Sequence, residues 1–315
     1  AVYIDSLRLM DSMADGEICH IDLGEAFRQR FGNPYAVVHR GDLHGVLLKA
    51  CQDHPLVALR VSSEVTGYEQ DAEGVAARLA TGEVVRGAAL VGADGLWSKV
   101  RKRMIGDSAR VSGHTTYRSV IPTEQMPEAL RWNAATLWAG PKCHIVHYPL
   151  SGWKVFNLVV TYHNNAPEPV AGKPVPVEEV QRGFGHVCER AQTIIRHGRD
   201  WHMWVLCDRD PVERWIDGRV ALLGDAAHPM MQYMAQGACM AMEDAVCLAD
   251  SLSKTQGSIE AGLVNYRDRR VLRTARVQLT SRAMGDHVYH PAGPHAALRN
   301  AIMSGKSQAE LGWRP

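Results

Sequence analysis

Gly224-Asp225-Ala226-Ala227-His228-Pro229, continuing through Met230-Met231-Gln232-Tyr233-Met234-Ala235-Gln236 to Gly237-Ala238, is the stretch around which the chain is organised. The apolar run Val220-Ala221-Leu222-Leu223 precedes it and reads as a buried strand. A helical pattern starts near Gly237. A strand thus ends on Gly-Asp, a proline-bearing loop follows, and a Gly-Ala pair opens a helix. Ligands of open α/β sheets bind at the carboxyl ends of strands. Asp225 at such an end can accept hydrogen bonds from sugar-like hydroxyls. Unhindered backbone N–H groups at Gly237-Ala238, with the helix dipole behind them, suit negative charge. Gly-Asp by itself ordinarily ends a strand and caps a turn; the whole stretch favours a ligand site.

Glu243-Asp244-Ala245 follows on the same predicted helix. With it, the Gly224–Pro229 stretch and Gly237 resemble the second flavin-binding motif of the single-component FAD-dependent aromatic-ring hydroxylases, the p-hydroxybenzoate hydroxylase type. Members acting on 3-hydroxybenzoate and on salicylate are the nearest in resemblance, and it extends over nearly the whole chain. It implies an α/β fold: an FAD/NAD(P)-binding Rossmann-like domain with an inserted, mainly antiparallel β-sheet substrate domain and C-terminal helices.

The chain has 315 residues, 46% hydrophobic and 22% charged, enough for a large core and two domains. A formal net charge of +1 implies no general attraction to nucleic acid or anionic membranes. No apolar run reaches the roughly 18 residues of a membrane span, and no signal peptide is visible. The seven cysteines are scattered and form no C-x-x-C. That argues against a disulfide framework or zinc site and for a cytoplasmic setting. The 15 histidines show no H-E-x-x-H spacing, so no metal is expected. The sequence starts at Ala1-Val2-Tyr3 and contains no G-x-G-x-x-G. The family carries that fingerprint at its N-terminus, so the Rossmann-like domain reads as N-terminally truncated, lacking a first strand–helix–strand.

In chain order, residues 1–27 alternate as strands do, and Gly32-Asn33-Pro34-Tyr35 is a turn cluster. Asp42 is an N-cap candidate for a helix bearing Leu43, Val46, Leu47 and Ala50. Strands are predicted over 57–61, 65–70 and 74–79. The run 88–95 then enters Asp94-Gly95, ahead of a basic helix, Ser98-Lys99-Val100-Arg101-Lys102-Arg103. From about 111 the texture becomes β-rich, with strands near 117–122, 135–139, 143–148 and 155–160. Helical text covers 177–196, and 201–207 returns as a strand. Boundaries follow at 1–110 and 218–315 for the flavin-binding domain, and 111–217 for the substrate domain. The helix from about Ile259 to Met284 carries Arg267, Arg269, Arg270, Arg273, Arg276 and Arg282, read as a solvated face. A last helix is predicted within 287–303.

The resemblance assigns roles residue by residue. Arg40 resembles the arginine that contacts the flavin's pyrophosphate and ribityl side, and Val65 the residue whose backbone meets adenine. Asp94 and Gly95 resemble the middle motif, serving pyrophosphate and nicotinamide nucleotide. Gly224, Asp225, Pro229, Gly237 and Ala238 resemble the flavin loop, with Asp225 holding the ribityl chain. Basic residues of 98–103 are candidates for the phosphates of NAD(P)H, against a bland solvated face.

The implied cycle is reduction of FAD by NADH or NADPH, reaction with O2 to a C4a-hydroperoxyflavin, and transfer of its distal oxygen to an electron-rich ring. The protein must also remove a phenol proton, and a histidine suits that task. Alternate strand residues share a face, so His144, Val146 and Tyr148 point one way and Cys143, Ile145 and His147 the other. A lone strand histidine is ordinarily structural. The His-x-x-x-Tyr spacing of His144 and Tyr148 resembles what the nearest relatives use at the phenol, which favours function. Tyr35 and Gln232 resemble substrate-contacting residues, and Arg118 is one candidate partner for a substrate carboxylate. The expected reaction is 3-hydroxybenzoate 6-hydroxylation. Salicylate 1-hydroxylation and hydroxynicotinate hydroxylation are next, and a homodimer is expected as in many such enzymes. A flavin reductase or oxidase, and a non-catalytic remnant binding an aromatic ligand or partner, are the readings from other classes.

Overall fold

A computed structural model describes residues 1–255, 257–307 and 310–311. They form two compact units. The first comprises Ala1–Ala58, Gly113–Leu206 and the described residues from Gly285 onward; the second comprises Leu59–Ser112 and Cys207–Met284. Residues 1–58 and the described residues from 285 on cluster with the large sheet rather than with the loop at 224–231.

The first unit is built on an eight-stranded sheet. Its order is Lys173–Pro174, Arg199–Asp208, Arg110–Pro122, Val155–His163, Cys143–Leu150, Ala134–Gly140, Ser6–Asp11 and Glu17–Asp22. Ala134–Gly140 runs parallel to Ser6–Asp11, while its pairing with Cys143–Leu150 and the next pairing, to Val155–His163, are antiparallel. The N-terminal strands thus extend the expected insert. One sheet face carries Trp138, Ile145, Phe156, Leu158 and Val160, packed with Val180, Phe184, Ile194 and Ile195. Val180 belongs to the short helix Val177–Arg182 and Ile194 and Ile195 to a second one, Glu189–His197, with Phe184 in the link between them, where one long helix was expected. Ala191, Ile194 and Ile195 recur at the spacing that gives one buried helix face. Each of the two isoleucines contributes about 1.5–3 kcal/mol by leaving water. The opposite face packs Leu9, Ile18 and Ala139 with Val288 and Met303.

In the second unit Val220–Leu222 is wholly buried. It pairs parallel with Leu90–Gly92 and antiparallel with Ile216–Asp217. Helices Gly237–Lys254 and Ile259–Met284 pack on this core through Cys247, Leu248, Leu263 and Tyr266. Strands Val65–Gln70, Val75–Leu79 and Val84–Gly87 form a separate antiparallel sheet.

Some expectations need correction. The stretch 57–61 is not a strand: Leu59 and Val61 are exposed and no ladder takes it up, so its alternation has no core to face. Asp42 lies in the first turn of Arg40–Asp53, whose cap is His39. The C-terminal stretch breaks into a π-helical turn, Gly285–Tyr289, and the helix Pro294–Ser304, because Pro291 and Pro294 interrupt it. Among the described residues no helix is long and apolar enough to cross a membrane.

Candidate functional site

The second unit presents two loops that follow adjacent parallel strands, one at Asp94-Gly95 and one at Gly224-Asp225. Leu223 N–H extends their pairing by donating to Gly92 O at 3.0 Å. Gly92 is required by packing, since a Cβ there would lie 2.7 Å from Val100 Cβ. Beyond it Asp94 accepts from Ser98 Oγ (2.5 Å) and from the backbone N–H of Lys99 (2.7 Å), which ties the loop to the helix Lys99–Met104. Gly95 follows at φ 76°, a left-handed conformation that favours glycine.

The second loop carries the clearer cradle. Gly224 has φ 61°, and its absent Cβ would meet Ala241 at 3.2 Å. Asp225 is exposed. Its Oδ1 lies 3.8 Å from where a Cβ on Gly237 would stand. The carboxylate therefore sits beside the start of an 18-residue helix whose Gly237 and Ala238 backbone is open. A hydroxyl-bearing chain next to an electron-rich ring edge fits this pairing of acceptor and N–H donors. These residues fit FAD.

Behind the loop lies wiring that the sequence did not reveal. Arg101 is fully buried and donates to Ala226 O (3.1 Å) and Ala227 O (2.6 Å). It also pairs with Asp107 at 2.7 Å. Arg209 reaches the same Asp107 at 2.9 Å and donates to Leu96 O at 3.1 Å. Burial raises the Asp107 carboxyl, but Arg101 and Arg209 more than offset this and hold it below its ordinary value. One carboxylate with two arginines thus braces both the Asp94-Gly95 and the Gly224-Asp225 loops. Arg101, offered above for NAD(P)H phosphates with the rest of the basic helix, is enclosed and committed to this task.

His228 and Asp244 are both fully buried and meet at 2.6 Å. Asp244 also accepts from Gly224 N–H (3.0 Å) and pairs with Arg270 (2.7 Å). Burial raises Asp244, while His228, Arg270 and Gly224 together keep it below its ordinary value. Arg273 and Arg270 hold Glu243 down to about 2. Gln278 donates to Pro229 O at 3.1 Å, and Ser281 to Met231 O. The arginine-rich helix is therefore not simply a solvated face. Arg270 is 5% exposed, and Arg282 pairs with Asp208 and Asp210. Glu243-Asp244 was the visible signal; its partners lie between 16 and 30 residues away, beyond any local spacing.

The other expected residues of this unit are dispersed. Val65 begins its antiparallel strand, half-buried opposite Leu79. Pro229 is buried, and Gln232 is half-buried in a short 3-10 turn, Gln232–Met234. A groove of about 780 Å³ runs past Cys239, Met242, Val246 and Arg269, on the flank of the helix. It shares no lining residue with the Asp225–Ala238 cradle, whose chemistry better suits a ligand.

In the first unit His144, Val146 and Tyr148 share a sheet face, as the alternation implies. Val146 lies opposite Val159, and Val159 opposite Arg118, so Arg118 shares that face. The Arg118 guanidinium packs over the Trp204 ring at 5.6 Å. Burial raises the Tyr148 phenol and Arg118 opposes the rise. His147 is buried on the other face, against Trp132 and Phe156, which excludes it as a partner of His144. Arg40 is the exposed first residue of its helix. Tyr35 is half-buried against Phe27.

His144 is 1% exposed. Its Nδ1 meets His290 Nε2 at 2.6 Å, and its ring stands edge-on to Tyr289 at 4.9 Å. Burial, then His163 and His114, push His144 down to about 3, so it is a neutral imidazole near pH 7. No local spacing marks His290, His163 or His114 as its neighbours, because they come from three other segments.

Comparison with known proteins follows this geometry. A family model described as "FAD binding domain" matches residues 10–281. A protein named 3-hydroxybenzoate 6-hydroxylase 1, from Aquipseudomonas alcaligenes, is 55% identical over 98% of this chain and 79% of its own length. A 3-hydroxybenzoate 6-hydroxylase from Polaromonas naphthalenivorans (strain CJ2) is 45% identical over 98% of this chain and 76% of its own. Among solved structures, Klebsiella pneumoniae HpxO complexed with FAD and uric acid matches with a TM-score of 0.85 at 23% identity, covering 98% of this chain and 78% of that one. A salicylate hydroxylase substrate complex matches at 0.83 and 24% identity, covering 98% and 79%. These structural likenesses speak to the fold alone.

Proposed function

Since this chain belongs to the FAD-binding family of aromatic-ring hydroxylases and is an FAD-dependent monooxygenase, we propose that it uses NAD(P)H and O2 to convert 3-hydroxybenzoate into 2,5-dihydroxybenzoate. The observation that carries the choice of substrate is the 55% identity, over nearly the whole chain, to a protein named for that reaction. The sheet face bearing His144, Tyr148 and Arg118 supports it, because a phenol and a carboxylate need different partners.

Oxygen activation and transfer are the flavin's chemistry; the protein binds, orients and moves protons. Asp225 would accept hydrogen bonds from the hydroxyls of the flavin side chain. The Gly237 and Ala238 N–H groups would suit the electron-rich edge of a bound flavin ring. Gly224 and Pro229 shape that loop. Asp94 and Gly95 serve the pyrophosphate and the nicotinamide nucleotide, Val65 the adenine, and Arg40 the pyrophosphate side. On the substrate, His144 takes the phenol proton, which raises the electron density of the ring carbon to be attacked. Tyr148 hydrogen-bonds the phenol oxygen, Tyr35 and Gln232 contact the ring, and Arg118 takes the carboxylate. Flavin binding is assigned chiefly to the unit of the Asp94-Gly95 and Gly224-Asp225 loops and phenol handling to the sheet. A homodimer and a cytoplasmic setting, where NAD(P)H is at hand, complete the reading.

The test is NAD(P)H oxidation by the FAD-loaded protein with 3-hydroxybenzoate or salicylate, with products identified by chromatography. 2,5-Dihydroxybenzoate is expected from the first. Catechol from salicylate as the sole product would move the assignment to the decarboxylating reaction. His144→Ala is expected to lower turnover by about 10²–10⁴-fold, the usual contribution of a positioned base.

A further inference from the structure

The first unit holds more histidine than a single base requires. His144 Nδ1 meets His290 Nε2 at 2.6 Å, and His290 Nδ1 meets His163 Nε2 at 2.8 Å. His163 stacks on His114 at 3.5 Å between ring centroids. His144 and His290 are buried, whereas His163 and His114 are half-buried. The row thus leads from two buried histidines to two that are partly open to solvent.

We propose that His290 and His163 form a proton relay that carries the substrate's phenol proton away from His144. This rests on His144 being the base. A neutral imidazole has one N–H and one acceptor nitrogen, so the two contacts can be satisfied together only if the rings share one polarity. For His144 to accept at Nε2, its Nδ1–H donates to His290 Nε2, and His290 Nδ1–H donates to His163 Nε2. The phenol O–H then breaks as His144 Nε2–H forms. The Nδ1 proton of His144 passes to His290 Nε2, that of His290 passes to His163 Nε2, and His163 Nδ1 releases one proton to water. One proton leaves the phenol and one enters solvent, and each ring ends neutral with its tautomer reversed. The return of a proton to the product's phenol oxygen runs the row backwards and restores it.

Burial supplies the reason for such a device. It disfavours an imidazolium at each of His144, His290 and His163. A base in that setting cannot keep a proton, but it can exchange one for another. His114, His163 and His290 also bring ligand nitrogens within 4.8 Å of one another, as a metal site would. Yet both nitrogens of His290 face neighbouring histidines, and an N···N contact of 2.8 Å is that of a shared proton, with no gap for an ion between the pair.

The experiment mixes FAD-loaded protein with 3-hydroxybenzoate in weakly buffered solution. A pH-indicator dye follows proton release, and phenolate absorbance is read in parallel. The variants are His290→Gln and His163→Gln. Glutamine keeps a donor and an acceptor but does not pass a proton from one to the other, so a purely structural role survives the change. Both variants are expected to slow proton release by about tenfold or more while the final phenolate yield stays within about twofold. Nitrogen-15 histidine spectra of the substrate-free protein are expected to show His144, His290 and His163 neutral and in one tautomer. Wild-type release rates in His290→Gln overturn the relay; should that variant not fold, His163→Gln, at the half-buried end, decides on the same terms. Equimolar Zn²⁺ binding that is lost in His114→Gln also overturns it, in favour of a metal site. Normal phenolate formation in His144→Ala sinks the base assignment itself. Its loss there, with normal release in His290→Gln, leaves the base standing and removes only the relay.

Discussion

Asp225 and His144 show two ways in which a polar side chain becomes available for chemistry. Asp225 is exposed at a strand end beside an open helix start, so its carboxylate is hydrated until a ligand arrives. His144 is enclosed, and its environment sets its protonation before any substrate binds. Asp225→Ala therefore costs ligand contacts rather than fold. Hydrogen bonds to a charged group contribute about 1.5–3 kcal/mol, so FAD affinity is expected to fall about 10–150-fold. Unfolding of the flavin-free protein should stay within about 0.5 kcal/mol of the parent. Flavin fluorescence titration and urea unfolding read the two quantities. Unchanged affinity would remove Asp225 from the flavin site. Position and residue type were legible for both residues, through Gly-Asp after an apolar run and through strand alternation.

Among the elements, the loop 224–231 is set by what lies behind it. Its carbonyls and N–H groups are taken up by Arg101, Asp244, Gln278 and Ser281, which come from three helices. Asp244 is the member with most to lose, because it is enclosed between His228 and Arg270. Removing one partner of a buried pair costs about 3–5 kcal/mol, since the other charge stays buried. Asp244→Ala is expected to destabilise by that amount, measured by urea unfolding. Glu243→Gln, at a partly exposed site, should cost about 1 kcal/mol or less. Equal losses in the two variants would show that burial does not set the cost. Glu243-Asp244 was marked in the sequence, but Arg101, Arg270 and Arg282 were read together with the exposed basic residues around them. A local window cannot distinguish an arginine that faces water from one that braces a distant loop.

At the scale of the whole molecule the ionisable groups set an acid limit. Acids and bases nearly cancel, at 34 and 35, so global repulsion is small near neutrality. Burial holds His144 to about 3 and His147 to about 4 in the folded state, below the ordinary value near 6.5. Between those values the unfolded chain binds more protons, so stability is complete above about pH 6.5 and falls as pH drops. Each histidine contributes up to about 1.4 kcal/mol per pH unit in that window. Denaturant midpoints at pH 7.5 and 5.0 measure this, and His147→Phe should shrink the difference. Equal midpoints in the parent protein would contradict the buried neutral histidines. The local order is written in the sequence alone: strand, Gly-Asp, loop, helix at 220–238, and the shared face of His144 and Tyr148. Periodicity, glycine and proline act over a few residues and are visible there. Tertiary structure alone decided that strands 6–11 and 17–22 extend the large sheet, that Arg101 and Asp107 brace the loops, and that His290, His163 and His114 gather near His144. Those outcomes depend on which distant segments exclude water from one another, and burial, which turns an arginine into a brace and keeps a histidine neutral, exists only once the chain has packed.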